Sequence, residues 1–391
     1  MSPLLRLLAS FIALMMAMGI GRFALTPQLP HLLSEGQIGL SAAGIIAAAN
    51  YLGYFIGAMD GMFARRAAQV RLRLHGGLWL CVGLTLASYW AQGFWSHLLL
   101  RFGTGVASAW VLVMITSLSQ QIAASSGRAA LGALVFAGPG LGIFLTGLLA
   151  LGSNLMGQGS ATLWLVYAAV ALVMLLPILP ILPAPAAASG PTDVRAGNTR
   201  GIARLGVIYA LYGVGYIIPA TFMSQMANAR FAGLWQADLF WPCFGLMAAV
   251  GVVLASLRTP DPRTTPRWLA VALWLQAAGV FACLLPNAVG LALGVVLCGT
   301  PFLACMQLVM QRSRELAPQA AQRNAGLLTA CFALGQLSGP LLAALSTQFS
   351  GNLQPALLLA GSGLLVAGFL PGRVLKLRAM CASDDATIAL R

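Results

Sequence analysis

Charged side chains are scarce in this chain. Asp, Glu, Lys and Arg together make up 8% of its 391 residues, and only eight residues are acidic. A soluble domain carries roughly 25% charged residues, so a water-facing globular surface is excluded. Histidine is rarer still. His31, His75 and His97 stand far apart, with no HExxH or comparable metal-ligand spacing. No phosphate-cradling P-loop occurs, which argues against ATP as the energy source. The seven cysteines, Cys81, Cys243, Cys283, Cys298, Cys305, Cys331 and Cys381, form no CxxC pair, and six fall inside apolar runs. They read as small buried hydrophobes, so neither a metal site, a cofactor site nor a disulfide framework is expected.

Apolar residues, by contrast, fill 59% of the chain, and there are 44 glycines, as close helix contacts in lipid favour. The net charge of +14 comes from short basic clusters between apolar runs, not from a continuous basic stripe, so nucleic acid is not expected as a partner. A membrane-spanning helix needs about 20 mainly apolar residues. Twelve stretches qualify: 7–29, 40–62, 74–93, 97–120, 129–151, 161–183, 204–225, 237–257, 267–286, 289–311, 325–347 and 353–371. They are too long and too little alternating for β-barrel strands. The first run continues through Phe23 to Pro30 without a small-residue cleavage site, so it reads as a retained helix, not a signal peptide. The predicted fold class is therefore all-α and integral to the membrane, with the lipid bilayer as solvent.

Basic residues give an orientation. With the N-terminus in the cytoplasm, all but three of the 22 fall in inner loops or termini. Arg230 is the outer exception, and Arg22 and Arg101 lie within spans. That segregation follows the positive-inside rule and predicts both termini in the cytoplasm. The Ala-, Pro- and Gly-rich stretch 184–203 reads as a cytoplasmic linker between a six-helix half at 1–183 and another at 204–371, with a tail at 372–391. Gly19, Gly21, Gly39, Gly57, Gly105, Gly132 and Gly157 meet Gly213, Gly215, Gly233, Gly251, Gly299, Gly326 and Gly351 at a shift of 194 residues, which suggests that the halves are repeats.

Three local patterns resemble the major facilitator superfamily. The fourth span carries Arg101-Phe-Gly-Thr-Gly105, with Ala109 four residues on, and the fifth carries Gly138-Pro139-Gly140-Leu141-Gly142. After the second span comes Gly57-Ala-Met-Asp60, then Arg65-Arg66, with the Asp one place early for the family's loop motif and its second glycine absent. Gly19-Ile-Gly21-Arg22-Phe23 followed by Pro27-Gln-Leu-Pro30, and Asn50-Tyr51-Leu52-Gly53-Tyr54, are similar to the YbfB/YjiJ-type bacterial branch. The resemblance implies a permease of two six-helix halves, working by alternating access on a small-molecule substrate, with proton coupling as the default and a monomer as the expected form. Core carboxylates are few, so uniport, exchange and efflux of amphipathic compounds stay open. A membrane-embedded enzyme or a channel would need clustered catalytic groups or a charge ring, and neither pattern occurs.

The sharpest chemical signal is charge inside the spans. An Arg at a helix centre costs about 2.5–3.5 kcal/mol on insertion scales, so it is expected to face a cavity or a partner. Counting from the outer helix ends, Arg22 and Arg101 differ in depth by about 6 Å, enough for one anion site with planar guanidinium chemistry. Alternatively Arg22 pairs with Asp238, and Arg101 holds backbone carbonyls. Asn50, Tyr54, Tyr212, Tyr216, Gln307 and Gln336 could bind a substrate or act as interhelical glue. Asp60, Asp238, Gly105, Gly138, Pro139 and Gly142 are the gating and packing candidates.

Overall fold

The computed structural model describes residues 2–64, 66–127, 129–182, 198–231, 234–257 and 261–371, and no strand occurs among them. Twelve helical spans follow one another. They are α1 Pro3–Ser34, α2 Leu40–Met62, α3 Ala67–Ala87, α4 Gly93–Ser125, α5 Ala130–Leu155 and α6 Ser160–Ile178 in the first half. The second half holds α7 Thr199–Arg230, α8 Trp235–Ser256, α9 Thr265–Ala282, α10 Ala288–Leu316, α11 Ala321–Ser350 and α12 Gln354–Phe369. Nine are long and apolar enough to cross a membrane by those measures alone, and α12 is a shorter apolar helix. The other two are more polar: α3 carries Arg71, Arg73 and His75, and α9 carries Arg267 and Gln276.

Several helices outrun their apolar stretch. α4, α7 and α10 each continue past the expected limits into polar ends such as 117–125 and 311–316, because a helix satisfies its own backbone groups and needs no apolar side chains to continue. Thr199 already begins α7, and the rest of the expected linker, 184–197, lies outside the described residues, as does 372–391.

The halves repeat each other in packing. α2 packs on α4, α3 on α4 and on α6, and α1 on α5; six helices later α8 packs on α10, α9 on α10 and on α12, and α7 on α11. The glycine register explains why. A Cβ on Gly57 would strike the Val106 carbonyl, and one on Gly251 the Thr300 carbonyl; Gly105 meets the Asn50 carbonyl as Gly299 meets that of Phe244. Each contact recurs after the 194-residue shift, so the glycines permit the same backbone-to-backbone approach in both halves. The halves meet along two seams, α2 on α11 and α5 on α8, which exchange under the same shift.

Candidate functional site

Helix α1 is not regular. Between Pro3–Leu14 and Leu25–Ser34 the segment Met15–Arg22 winds as a π-helix, and Phe23 donates to the Met18 carbonyl five residues back. Pro27 has no N–H to return to Phe23, so the ladder is broken there in any case. Gly19 and Gly142 lie so close that neither tolerates a Cβ, and Gly138 sits against the Phe11 carbonyl. Gly138 and Gly142 of α5 thus seat the wide turn of α1. Such turns mark functional positions, because they turn a side chain off the regular helical face.

That side chain is Arg22, which is 3% exposed. Its Nη2 donates to Gln336 Oε1 on α11 at 2.5 Å, and Gln336 donates to the Tyr216 hydroxyl on α7. The guanidinium carbon lies 3.6 Å from the Tyr54 ring centroid and 5.3 Å from that of Tyr51, both on α2. Desolvated cation–π contacts are worth about 2 kcal/mol. Nε and Nη1 meet no hydrogen-bond partner among the described residues. The 194-residue shift carries Arg22 onto Tyr216 and Gly142 onto Gln336, so the charge enters a pseudo-symmetric position from one half alone.

The sequence candidates therefore separate. Arg22, Tyr54, Tyr216 and Gln336 converge at the seam. Tyr216 belongs to a stack with Tyr209, Tyr212, Phe302 and Phe332, in which the Tyr212 hydroxyl donates to the Phe302 carbonyl. Asn50 donates to the Arg101 carbonyl and to Thr104, tying α2 to α4. Arg101 is wholly buried, donating to Ser88 at 2.7 Å and the Gly21 carbonyl at 3.4 Å with Trp164 beneath it. It shares no partner with Arg22. Asp238 does not pair with Arg22; it accepts from Asn154 at 2.6 Å, near the end of the helices, because α8 starts with a short 3-10 turn that keeps it there. Asp60 accepts from two Arg73 nitrogens, Nε at 2.7 Å and Nη2 at 2.8 Å. Gln307 lies toward the far end of α10 and donates to Ser256. Tyr51, whose hydroxyl is 3.0 Å from that of Thr221, was passed over as a site residue although it stands inside the Asn50–Tyr54 motif.

At the end where α1 finishes, the halves are shut. Thr26 donates to the Ala220 carbonyl, Tyr51 meets Thr221, and Asn154 meets Asp238. At the opposite end, where α7 begins, residues of α4, α5, α8 and α10 line a cavity of about 430 Å³ that includes Gln120 and Gln311. A molecule shut at one end of its midline and hollow at the other, with a polar cluster between, has the form of a carrier.

Known proteins agree. The family described as "Uncharacterised MFS-type transporter YbfB" matches residues 14–371. The chain belongs to this major facilitator family. Among solved structures, the human organic anion transporter MFSD10 (TETRAN) superposes with a TM-score of 0.67 at 18% identity, covering 95% of this chain and all of that one, a likeness of fold. No curated protein matches. The facilitator is thus a multi-pass membrane transporter.

The shut end of this facilitator carries a carboxylate latch. Glu35, just past α1, caps the start of α6: it accepts from the Ser160 amide at 2.6 Å, from the Ser160 hydroxyl, and from Gln37 at 2.7 Å. Burial alone would raise its pKa, but these donors and the nearby His31 hold it below the ordinary value. A depressed carboxylate stabilises fully above its unfolded pKa, and the gain is lost as pH falls through the folded pKa. The melting temperature should therefore fall as the pH drops through the ordinary glutamate range of about 4 and below. Glu35→Gln should fall less over that window; equal falls would remove Glu35 from the latch.

Proposed function

We propose that this facilitator is a secondary transporter of a small organic anion, with Arg22 as the anchoring cation. One observation carries the reading. A buried guanidinium stands at the seam of the two halves with two nitrogens unpartnered, and no ion pair among the described residues neutralises it. A neutral amide and tyrosine rings surround it, so a carboxylate entering the site supplies both the missing acceptor and the missing charge. The human structural neighbour is an organic anion transporter, which is in keeping with this. A cationic drug would meet repulsion there.

The halves rock about this cluster, so that the shut end opens when the linker-side cleft closes. Proton coupling is the family default, yet the five described carboxylates, Glu35, Asp60, Asp238, Asp261 and Glu315, all sit near helix ends in hydrogen bonds or ion pairs. That placement favours exchange of one anion for another as the second reading, because exchange needs no titrating core group. Thermal melts of the purified protein test the anion reading. A bound ligand at a hundredfold excess over its Kd adds about 2.7 kcal/mol, so some members of a panel of organic carboxylates should raise the melting temperature and size-matched ammonium compounds should not. The reverse pattern would sink it.

The cleft faces the cytoplasm in this reading. Reporter fusions after Arg391 and within 190–198 should both give the cytoplasmic signal, and one within 152–160 the opposite. A linker fusion reporting the outer face would invert the proposed orientation.

A further inference from the structure

The linker-side cleft holds a guanidinium that the central cluster does not use. Arg314, on the last turns of α10, lines the cavity of about 430 Å³ and also a neighbouring one of about 240 Å³, with Gln120 of α4 shared between them. Among the described residues Arg314 makes no hydrogen bond and no ion pair; the ion pairs there are Arg73–Asp60 and Arg312–Glu315. Its neighbour Glu315 is taken. One carboxylate oxygen accepts from Arg312 at 2.9 Å, and the other accepts from Thr265 at 2.7 Å and Gln311 at 3.0 Å. Glu315 attracts Arg314 through space but makes no ion pair with it, and with Arg312 also present a net positive charge stands at the meeting of two hollows between the halves.

Gln307, seven residues earlier, lines the larger cavity and is 6% exposed. Its Nε2 donates to Ser256 Oγ at 3.2 Å, and the Ser256 hydroxyl itself donates to the Val252 carbonyl at 2.7 Å. A hydroxyl whose proton is committed can only accept, which fixes the amide with its nitrogen toward Ser256. The atom left without a partner is then the carbonyl oxygen, Gln307 Oε1. An unpaired buried acceptor costs about 1–3 kcal/mol, so it favours a ligand that brings a donor. Seven residues make nearly two full turns, placing Gln307 on the same face as Arg314 and about 10 Å deeper. The wall thus offers a cation at its mouth and an acceptor further in.

We propose that this wall is a second, vestibular binding site, selective for a carboxylate that carries a hydroxyl at its far end. It deepens the anion-transporter reading, and the two can fail separately. The probes are radiolabelled 6-hydroxyhexanoate and hexanoate, measured by equilibrium dialysis against the purified full-length chain. Vestibular binding should survive Arg22→Gln and weaken roughly tenfold or more in Arg314→Gln, by the energetics of a truncated charge partner. Arg314→Lys, which keeps the charge, should retain part of it and guards against misfolding as the cause. In the Arg22→Gln background the hydroxy acid should bind roughly threefold to tenfold tighter than hexanoate. Gln307→Leu should erase that preference while leaving hexanoate unchanged. Binding lost with Arg22→Gln and untouched by Arg314→Gln would overturn the vestibular site and leave the central one standing. Binding lost with Arg314→Gln alone would uphold the vestibule and count against the central anchor for this class. No saturable binding of either probe, or equal binding of both in the Arg22→Gln background, would overturn the proposal.

Discussion

Arg22→Ala should reduce transport to background in proteoliposomes while the protein still purifies as a folded monodisperse species. Folding survives because Arg22 contributes one hydrogen bond and ring contacts at a seam that α2 and α11 already hold along their length. Transport does not, because removing one partner of a buried charge pair costs about 2–5 kcal/mol, roughly 30-fold to several-thousandfold in affinity. Arg22→Lys keeps the charge but loses the planar fork and the stacking on Tyr54, so it should recover only part of the activity. Arg101→Ala behaves differently. Its guanidinium ties α4 to Ser88 at the end of α3 and to the Gly21 carbonyl of α1, over Trp164 of α6. Its loss should lower the stability of the first half by on the order of 3 kcal/mol and leave ligand affinity near normal in whatever folds. The double mutant then shows additive losses, as expected of residues without a shared partner. Strong coupling between the two would return both arginines to one anion site, and normal transport by Arg22→Ala would end the anchoring role.

The contrast between these arginines marks where sequence reasoning stops. Lipid demands an apolar run of about 20 residues for each crossing, so the twelve spans were readable one by one. α3, however, starts at Ala67 and not at the expected 74, because its first turns are polar. The repeat was readable too, since Gly57 and Gly251, or Gly105 and Gly299, serve the same backbone contacts in each half. Depth along a helix was likewise legible, and it placed Arg22 and Arg101 in one layer. Direction around the helix was not. The π-turn at Met15–Arg22 rotates everything beyond it, and no residue pattern announces it except the glycines that seat it against α5. Gln336 stands 314 residues from Arg22, and only the packing of α11 on α2 brings the two together. Arg314 was counted among the linker-side basic residues that set orientation, a bookkeeping in which one lone arginine looks like any other. Its significance comes from Glu315 being already satisfied, which is a matter of three-dimensional pairing.

Cross-linking the shut end should stop the cycle. Asn154 near the end of α5 and Asp238 at the start of α8 touch across the seam, and both are at least partly open to solvent, so cysteines there are expected to fold. Behind them the seam is tight: Gly140 and Gly245 would each collide with the other's helix if given a Cβ, and Gly147 lies against Pro242. Alternating access requires this end to part, and a packed interface has discrete arrangements, not a continuum of partial openings. In a background without the native cysteines, Asn154→Cys with Asp238→Cys should transport normally until a short cleavable thiol cross-linker is added. Transport should then fall to background and return on cleavage. The control pair is Glu35→Cys with Ser160→Cys, which joins the end of α1 to α6 inside one half. Halves that rock as rigid bodies move these two residues together, so that cross-link should leave most of the activity. Inhibition by both bridges would mean that the first half itself deforms during the cycle. Full transport with the α5–α8 bridge quantitatively in place would mean that the shut end never opens, and the rocking mechanism would have to be abandoned.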